Sequence, residues 1–331
     1  MQQVAKRAHA DNPEGDFEAL IGAFGGQSDI LGDLENYARL TETDDPILAA
    51  KIIATRKFVQ EIRQRGIGHT LEVIVNNSRP ANGNFSIVSG FIKLTTGAFS
   101  GRVTIANLNY DDLILTELSD HYSYNNDFSD LGAGYDKRQV NDVLDKPFFA
   151  FPLRSTDNLI NRIRLLDLHG AVTFWRFGNR YEKINLDTAR ESQLWERYRL
   201  GQIDAEPLVV LANKHDKADH VKREPFRLAY DIADTDFRNA EHWLIAGYSF
   251  RDKCVNDLLK RAMSVREERQ EPTKILIVTN GDGLTSTDVE NAFGWESGKF
   301  SDHNAKIERT GIDGLRETAA WKWFVGEEPP F

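Results

Sequence analysis

Cysteine is almost absent from this 331-residue sequence, which contains only Cys254. An internal disulfide framework is therefore excluded, and so is a structural zinc site built from several cysteines. Long apolar runs are absent as well, since no stretch approaches the ~20 residues that a membrane-spanning helix needs. Residues 1–16 contain no apolar core of the kind that a secretory signal requires. The expectation is a cytoplasmic protein with no membrane span and no zinc.

Positive charge is also in short supply, with 41 Lys and Arg against 51 Asp and Glu and a net charge of −10. That balance argues against direct binding of nucleic acid, which requires a basic surface. The sequence has no G-x-G-x-x-G fingerprint, no P-loop lysine motif and no H-E-x-x-H metal motif. The stretch GAFGG at 22–26 is a weak candidate for a phosphate loop, and the end of a helix explains it at least as well.

Helical periodicity dominates residues 1–100. Asp45 and Pro46 form a typical helix start, since an aspartate caps the helix and a proline fits its first turn. Apolar residues then recur at helical spacing, and Gly66 is expected to end the helix. A shorter amphipathic helix is predicted over 16–24. We expect residues 1–100 to form the helical N-terminal part of the domain.

Five short apolar runs follow, separated by segments of helical length. They cover 103–106, 165–168, 208–212, 243–246 and 274–279. Such runs predict buried parallel strands joined by crossover helices, and therefore an α/β fold with a mostly parallel sheet. The polar stretch at about 119–152 is predicted to be a helical or irregular insertion. The core is expected to cover 101–300, which leaves 301–331 as a C-terminal tail.

Polar or small residues come directly after these runs. Ligands bind beyond the carboxyl ends of the strands in an open α/β sheet, so these residues are candidates for a binding site. The candidates are Asn109, Asp111, His169, Gly170, Gly247, Tyr248, Ser249 and Asn280. Each of them alone is also an ordinary turn former or packed side chain. The repetition of the pattern after several strands is what favours a site.

Four segments of the sequence, taken in order, resemble one family. They are VTIANLNYDDLILTEL, LLDLHGAVTFW, WLIAGYSFRDKCVNDLL and KILIVTNG. All four are similar to core segments of the bacterial sirtuin-like domain, also called the silent-information-regulator-like domain. The resemblance covers residues 15–300. It implies a Rossmann-like, mostly parallel sheet with helices on both faces and NAD at the carboxyl edge of the sheet.

The resemblance also implies a role for each candidate residue. Asn109 would orient the nicotinamide ribose and the attacking water, Asp111 would hold the nicotinamide amide or its loop, and His169 would be the general base. An imidazole suits that role because its pKa lies near neutrality. The remaining candidates would contact NAD: Gly170, Gly247, Tyr248, Ser249 and Asn280.

Two departures from the family pattern stand out. The family's domain opens with a strand and a G-A-G-x-S loop that binds the pyrophosphate at a helix N-terminus. Here the segment 16–24 resembles what normally follows that loop. We therefore expect the first strand and the loop to be missing, through truncation, a wrong start codon or real loss. The second departure is that Asn107 and Leu108 replace the usual threonine pair before N-Y-D.

These expectations favour a NAD hydrolase that releases nicotinamide and ADP-ribose, like the anti-phage defence proteins that deplete NAD. The alternative is a degenerate module that binds NAD or ADP-ribose, or that scaffolds a defence assembly. Protein deacylation is less favoured, because the family's deacylases carry a four-cysteine zinc module that one cysteine cannot build. The expected partners are NAD and either further copies of the chain or a defence protein of ATPase or short-Argonaute type.

Overall fold

The computed structural model describes residues 33, 34, 36, 46–78, 85–134, 136–154, 161–210 and 218–327. The helix predicted over 16–24 and the GAFGG stretch lie outside these residues. The helices in the described part are α1 (Pro46–Asn77), α2 (Phe85–Ala98), α3 (Leu113–His121), α4 (Leu186–Ala189), α5 (Ser192–Arg199), α6 (Phe226–Asn239), α7 (Lys253–Glu268), α8 (Ser286–Phe293) and α9 (Ala319–Val325). The strands there are β1 (Val103–Asn107), β2 (Phe128–Ser129), β3 (Arg138–Val140), β4 (Phe148–Pro152), β5 (Ile163–Asp167), β6 (Gly170–Phe177), β7 (Arg180–Ile184), β8 (Ala205–Val209), β9 (His242–Ala246), β10 (Lys274–Val278) and β11 (Ala305–Glu308).

Helix α1 begins at Pro46, as the sequence predicts, but it continues past Gly66 to Asn77. The expectation that Gly66 ends the helix was therefore wrong. A glycine inside a helix costs only about 1 kcal/mol relative to alanine. Burial of Leu71 and Val75, which follow the glycine in the helix, offsets that cost.

The parallel strands form two sheets, ordered β1-β5-β2 and β11-β10-β9. The runs predicted at 103–106, 165–168, 243–246 and 274–279 correspond to β1, β5, β9 and β10, and each pairs in parallel with its neighbour. The prediction of an α/β fold with parallel strands is confirmed. Strand β11 lies within the stretch that we expected to be a C-terminal tail, and it extends the second sheet beside β10.

A third sheet is antiparallel, in the order β3-β4-β7-β6-β8. The run at 208–212 was predicted to be a parallel strand, and that prediction was wrong, because β8 pairs antiparallel with β6. A two-residue hairpin at Gly178 joins β6 to β7, and β8 adds antiparallel to the other edge of β6. An apolar run does not encode the direction of its strand, so the sequence could not indicate this pairing. The segment predicted as an insertion at 119–152 contains β2, β3 and β4.

Helices cover both faces of the parallel strands. On one face, α6 and α7 pack against side chains of β9 and β10, such as Trp243, Ile275 and Ile277. On the other face, Phe324 of α9 packs on Leu276. Successive residues of β10 thus alternate between two cores, as expected for a strand buried on both sides.

Gly170 provides a test of the junction between β6 and β8. Its φ is +84°, and a Cβ atom there would overlap the backbone carbonyl oxygen of Leu208. We expect Gly170→Ala to lower the free energy of unfolding by about 1–3 kcal/mol more than Gly201→Ala, because overpacking adds to backbone strain. Gly201 is a matched control, since its φ is +64° and its Cβ position is open. Urea denaturation of both variants measures the difference, and equal losses would contradict this explanation.

Candidate active site

Strands β1 and β5 end side by side. Asn107 is paired with Asp167, and the Leu168 amide donates a hydrogen bond to the Asn107 carbonyl at 2.9 Å. Asn109 and His169 each come two residues after this last pair, and both line one cleft. The structure therefore brings together the two residues that the sequence predicts at the same edge of the sheet.

The side chain of Asn107 fixes the loop that carries Asn109. Its Nδ2 donates to the Asn109 carbonyl oxygen at 3.0 Å and to Asp167 Oδ1 at 2.9 Å. Its Oδ1 accepts a hydrogen bond from the Asn109 amide at 3.1 Å. The Asn109 side chain itself is exposed at the wall of the cleft. Asn107 stands where the family pattern has a threonine, and its side chain thus fixes the backbone at Asn109.

The two aspartates that follow have different environments. Asp111 lines the cleft, and its Oδ1 accepts a hydrogen bond from the Leu113 amide at 3.1 Å at the start of α3. Burial raises the pKa of this carboxyl group above its usual value. Asp112 is buried and bound to Arg190 at 2.8 Å. Asp111 can therefore contact a ligand in the cleft, whereas Asp112 links the start of α3 to Arg190 at the end of α4.

His169 is buried, with 3% of its surface exposed, yet its side chain reaches the cleft. Its Nε2 lies 3.1 Å from Asp252 Oδ2 and 3.4 Å from the hydroxyl of Tyr230. The ring of Tyr110 lies 6.5 Å from the imidazole, centroid to centroid. These contacts fix the orientation of the imidazole.

Asp252 lines the cleft beside His169, and the site prediction did not include it. Its Oδ1 caps α7 by accepting hydrogen bonds from the amides of Cys254 at 2.9 Å and Val255 at 3.2 Å. Its other oxygen faces His169. Capping alone explains an aspartate at the start of a helix. Nothing in the spacing of residues 169 and 252 indicates a pair.

The remaining predicted residues are divided between the cleft and the core. Gly247, Ser249 and Asn280 are exposed and line the cleft. Tyr248 also lines the cleft, but its hydroxyl group donates to Asn256 Oδ1 at 2.7 Å in α7. Gly170 is absent from the cleft lining, and its contact with β8 explains the glycine. Its predicted contact with NAD stays a prediction.

The cleft has a volume of about 2550 Å³ and extends between the outer edges of β1 and β9. Sites for small molecules typically have volumes of about 300–1000 Å³, so this cleft has room for a dinucleotide and more. Within the described residues, no group of three or more His, Cys, Asp or Glu side chains could hold a metal ion. No helix in that part of the chain is long and apolar enough to cross a bilayer.

Comparison with known proteins identifies the family to which the chain belongs. The sequence model of the SIR2-like domain matches residues 103–299, which is more than half of the chain. The protein therefore belongs to the SIR2-like domain family, whose members include NAD-dependent enzymes. The match begins at β1 and ends after α8, so it includes the predicted cleft residues Asn109, His169, Gly247, Ser249 and Asn280. No curated protein sequence matches the chain.

A buried carboxyl group behind the site makes stability depend on pH. Burial, and secondarily the charge of Asp130, raises the pKa of Asp167 to about 7. A raised pKa means that the folded state binds the proton more tightly than the unfolded state does. We expect the wild type to lose roughly 2–4 kcal/mol of unfolding free energy as pH rises from 4 to 8.

Asp167→Asn should abolish most of that loss, since an amide keeps the shape and does not ionise. Asp282→Asn is the matched control, because Asp282 is 94% exposed in the loop after β10. Urea denaturation at several pH values gives the dependence of the unfolding free energy on pH for each variant. If that dependence is the same in Asp167→Asn as in the control, the pH effect does not come from Asp167.

Proposed function

We propose that this chain hydrolyses NAD to nicotinamide and ADP-ribose. The observation that supports the proposal is the pairing of His169 with Asp252 beside Asn109, at the carboxyl edge of β1 and β5 in a large cleft. Membership of the SIR2-like domain family supports NAD as the ligand. In an open α/β sheet, this edge is where ligands bind.

The cleft offers suitable groups for each part of a dinucleotide. Gly247 has a φ of +65° and no atom within 4 Å of its Cβ position, so its backbone is open to a phosphate or ribose. Ser249 adds a hydroxyl group, and Asn280 at the end of β10 is assigned to the adenosine ribose. Asp111 is assigned to the nicotinamide amide, and burial raises the pKa of this carboxyl group.

The reaction develops positive charge on the ribose as nicotinamide leaves. His169 would take a proton from a ribose hydroxyl or from the attacking water. Asp252 lies at Nε2, so we assign the transfer to Nδ1, and the carboxylate would stabilise the imidazolium that forms. Asn109 would orient the water through its uncharged amide, and its rigid loop would lower the barrier by fixing that orientation.

We further propose that this activity serves anti-phage defence by depletion of NAD in the cytoplasm. The chain would act with further copies of itself or with a separate defence protein of ATPase or short-Argonaute type. The alternative function is a module that binds ADP-ribose without cleaving NAD. Only the hydrolase would release nicotinamide from NAD, so one set of variants distinguishes the two functions.

The first test concerns the general base. His169→Gln should lower kcat for nicotinamide release by about 10²–10⁴-fold, because the glutamine keeps a hydrogen-bonding group but cannot accept the proton. Asn109→Ala should be comparably damaging, since it removes the orientation of the water. Ser249→Ala is the control, and it should mainly raise KM because it contacts substrate and transition state alike. Thermal melts of each variant monitor folding.

Wild-type activity in His169→Gln would end the catalytic assignment. If every form, wild type included, binds ADP-ribose saturably and releases no nicotinamide, the chain belongs to the binding class.

The second test isolates the charge of Asp252. Asp252→Asn should preserve the cap of α7, because asparagine caps helices as well as aspartate does. It should lower kcat and shift the acidic limb of the pH profile to lower pH, since the imidazolium loses its counter-charge. Asp257→Asn is the control, because that carboxylate lies on the same helix, pairs with Lys253 at the surface and is absent from the cleft lining. A pH profile that is unchanged in Asp252→Asn would contradict the role of the carboxylate.

A further inference from the structure

The loop at 247–252, between β9 and α7, connects the two ends of the candidate site. At the end of the loop, Asp252 contacts His169 at 3.1 Å, just after β5. At its start, the Gly247 amide donates a hydrogen bond at 2.9 Å to the last residue of β10, two residues before Asn280. The loop therefore lies between the His169 end and the Asn280 end of the cleft.

Arg251 is the cation that this loop presents to the cleft. The residue is exposed and lines the cleft. Within the described part of the chain, its guanidinium group makes no hydrogen bond or ion pair. Hydrogen bonds from Thr285 lower the pKa of Asp288, and the charge of Arg251 adds to that effect. The guanidinium group is thus available to a ligand.

The other lysine and arginine side chains that line the cleft differ from Arg251. Arg164 pairs with Asp236 of α6 at 2.8 Å, and Lys253 pairs with an aspartate of α7. Arg102 is exposed and lines the cleft, but it precedes β1 and therefore lies at the opposite end of that strand, roughly 16 Å from the carboxyl edge. Among the described residues, the carboxyl edge of the cleft thus has one lysine or arginine without a carboxylate partner.

The backbone that carries Arg251 is held in one conformation. Phe250 has a φ of +56°, in the left-handed region that residues with a Cβ rarely adopt. Its buried ring lies 6.3 Å from the ring of Phe293. Asn256 in α7 donates to the Phe250 carbonyl oxygen at 2.8 Å and accepts from the Tyr248 hydroxyl group at 2.7 Å. These contacts set the point from which the arginine side chain leaves the loop.

The start of α7 does not offer a phosphate site of its own. Helix N-termini commonly bind phosphates through their free amides. Here Asp252 Oδ1 already accepts from the amides of Cys254 and Val255. The chain also carries a net charge of −10, which opposes the approach of an anion. A phosphate at this edge therefore needs a side-chain cation, and a guanidinium group binds phosphate oxygens in pairs.

We propose that Arg251 binds the diphosphate of the dinucleotide and makes the cleft select nucleoside diphosphates over nucleosides. The position follows from the strand order, because β9 lies between β10 and the cleft, with β1 and β5 beyond it. Asn280 after β10 is assigned to the adenosine ribose, and His169 after β5 to the nicotinamide ribose. The diphosphate joins these riboses, so it passes the loop after β9. The assignment rests on the proposed function for the places of the two riboses.

Ligand binding to the purified full chain tests the proposal without requiring turnover. Arg251→Gln should raise the Kd for ADP-ribose by about tenfold or more, since it removes a charged hydrogen-bond donor to phosphate. The Kd for adenosine should change by less than about twofold, because adenosine has no phosphate. Arg251→Lys should lie between, since its ammonium group keeps the charge without the paired donors. Calorimetry measures each Kd, and thermal melts monitor folding.

Arg102→Gln is the matched control, because it removes an exposed cation from the same cleft at the opposite end of β1. It should leave both Kd values unchanged. ADP-ribose 2′-phosphate distinguishes the two phosphate groups that a guanidinium could bind. If Arg251→Gln weakens binding of this ligand alone, the side chain holds a 2′-phosphate and the diphosphate assignment is wrong.

The remaining outcomes separate this proposal from NAD hydrolysis. An unchanged Kd for ADP-ribose in Arg251→Gln, or an equal rise in Arg102→Gln, would overturn the role of Arg251 even if the wild type releases nicotinamide. A selective rise in Arg251→Gln, together with no nicotinamide release by the wild type, would support the role of Arg251 and contradict hydrolysis alone. No binding of ADP-ribose to the wild type would overturn both.

Discussion

The parallel ladder between β1 and β5 determines where Asn109 and His169 lie. It pairs Asn107 with Asp167, so the two chains leave the sheet at the same level and carry Asn109 and His169 to one edge. A slip of one residue would reverse the faces of every side chain on β1. The side-chain hydrogen bond from Asn107 to Asp167 then joins the last pair and fixes the loop that follows. The site is therefore a consequence of strand register.

A buried polar cluster behind that edge connects the parallel and antiparallel parts of the fold. Lys183 on β7 forms an ion pair with Asp130, which directly follows β2, and both side chains are buried. Such a pair contributes little net stability, because desolvation offsets the attraction, but breaking one partner is costly. The charge of Lys183 also lowers the pKa of Asp167, whereas that of Asp130 raises it. The antiparallel sheet thus influences the electrostatics of the site from behind.

Much of the parallel core could be predicted from the sequence, because β1, β5, β9 and β10 are local apolar runs. Strand β8 could not be assigned correctly, since its apolar run is compatible with either direction and its partner β6 determines the direction. The pairing of His169 with Asp252 also escaped the sequence reasoning. It depends on where the start of α7 lies relative to His169, and capping alone explains an aspartate at that position. Contacts between distant segments require tertiary information that periodicity does not contain.

The central claim is that Asn109 and the pair formed by His169 and Asp252 surround the reacting ribose. A crystal structure of the chain with ADP-ribose tests it most directly. The account predicts that the terminal ribose lies in the cleft, with a hydroxyl group about 2.6–3.2 Å from the His169 imidazole and the Asn109 amide close by. A ribose bound outside the cleft, or at the β9 side with His169 untouched, would contradict it.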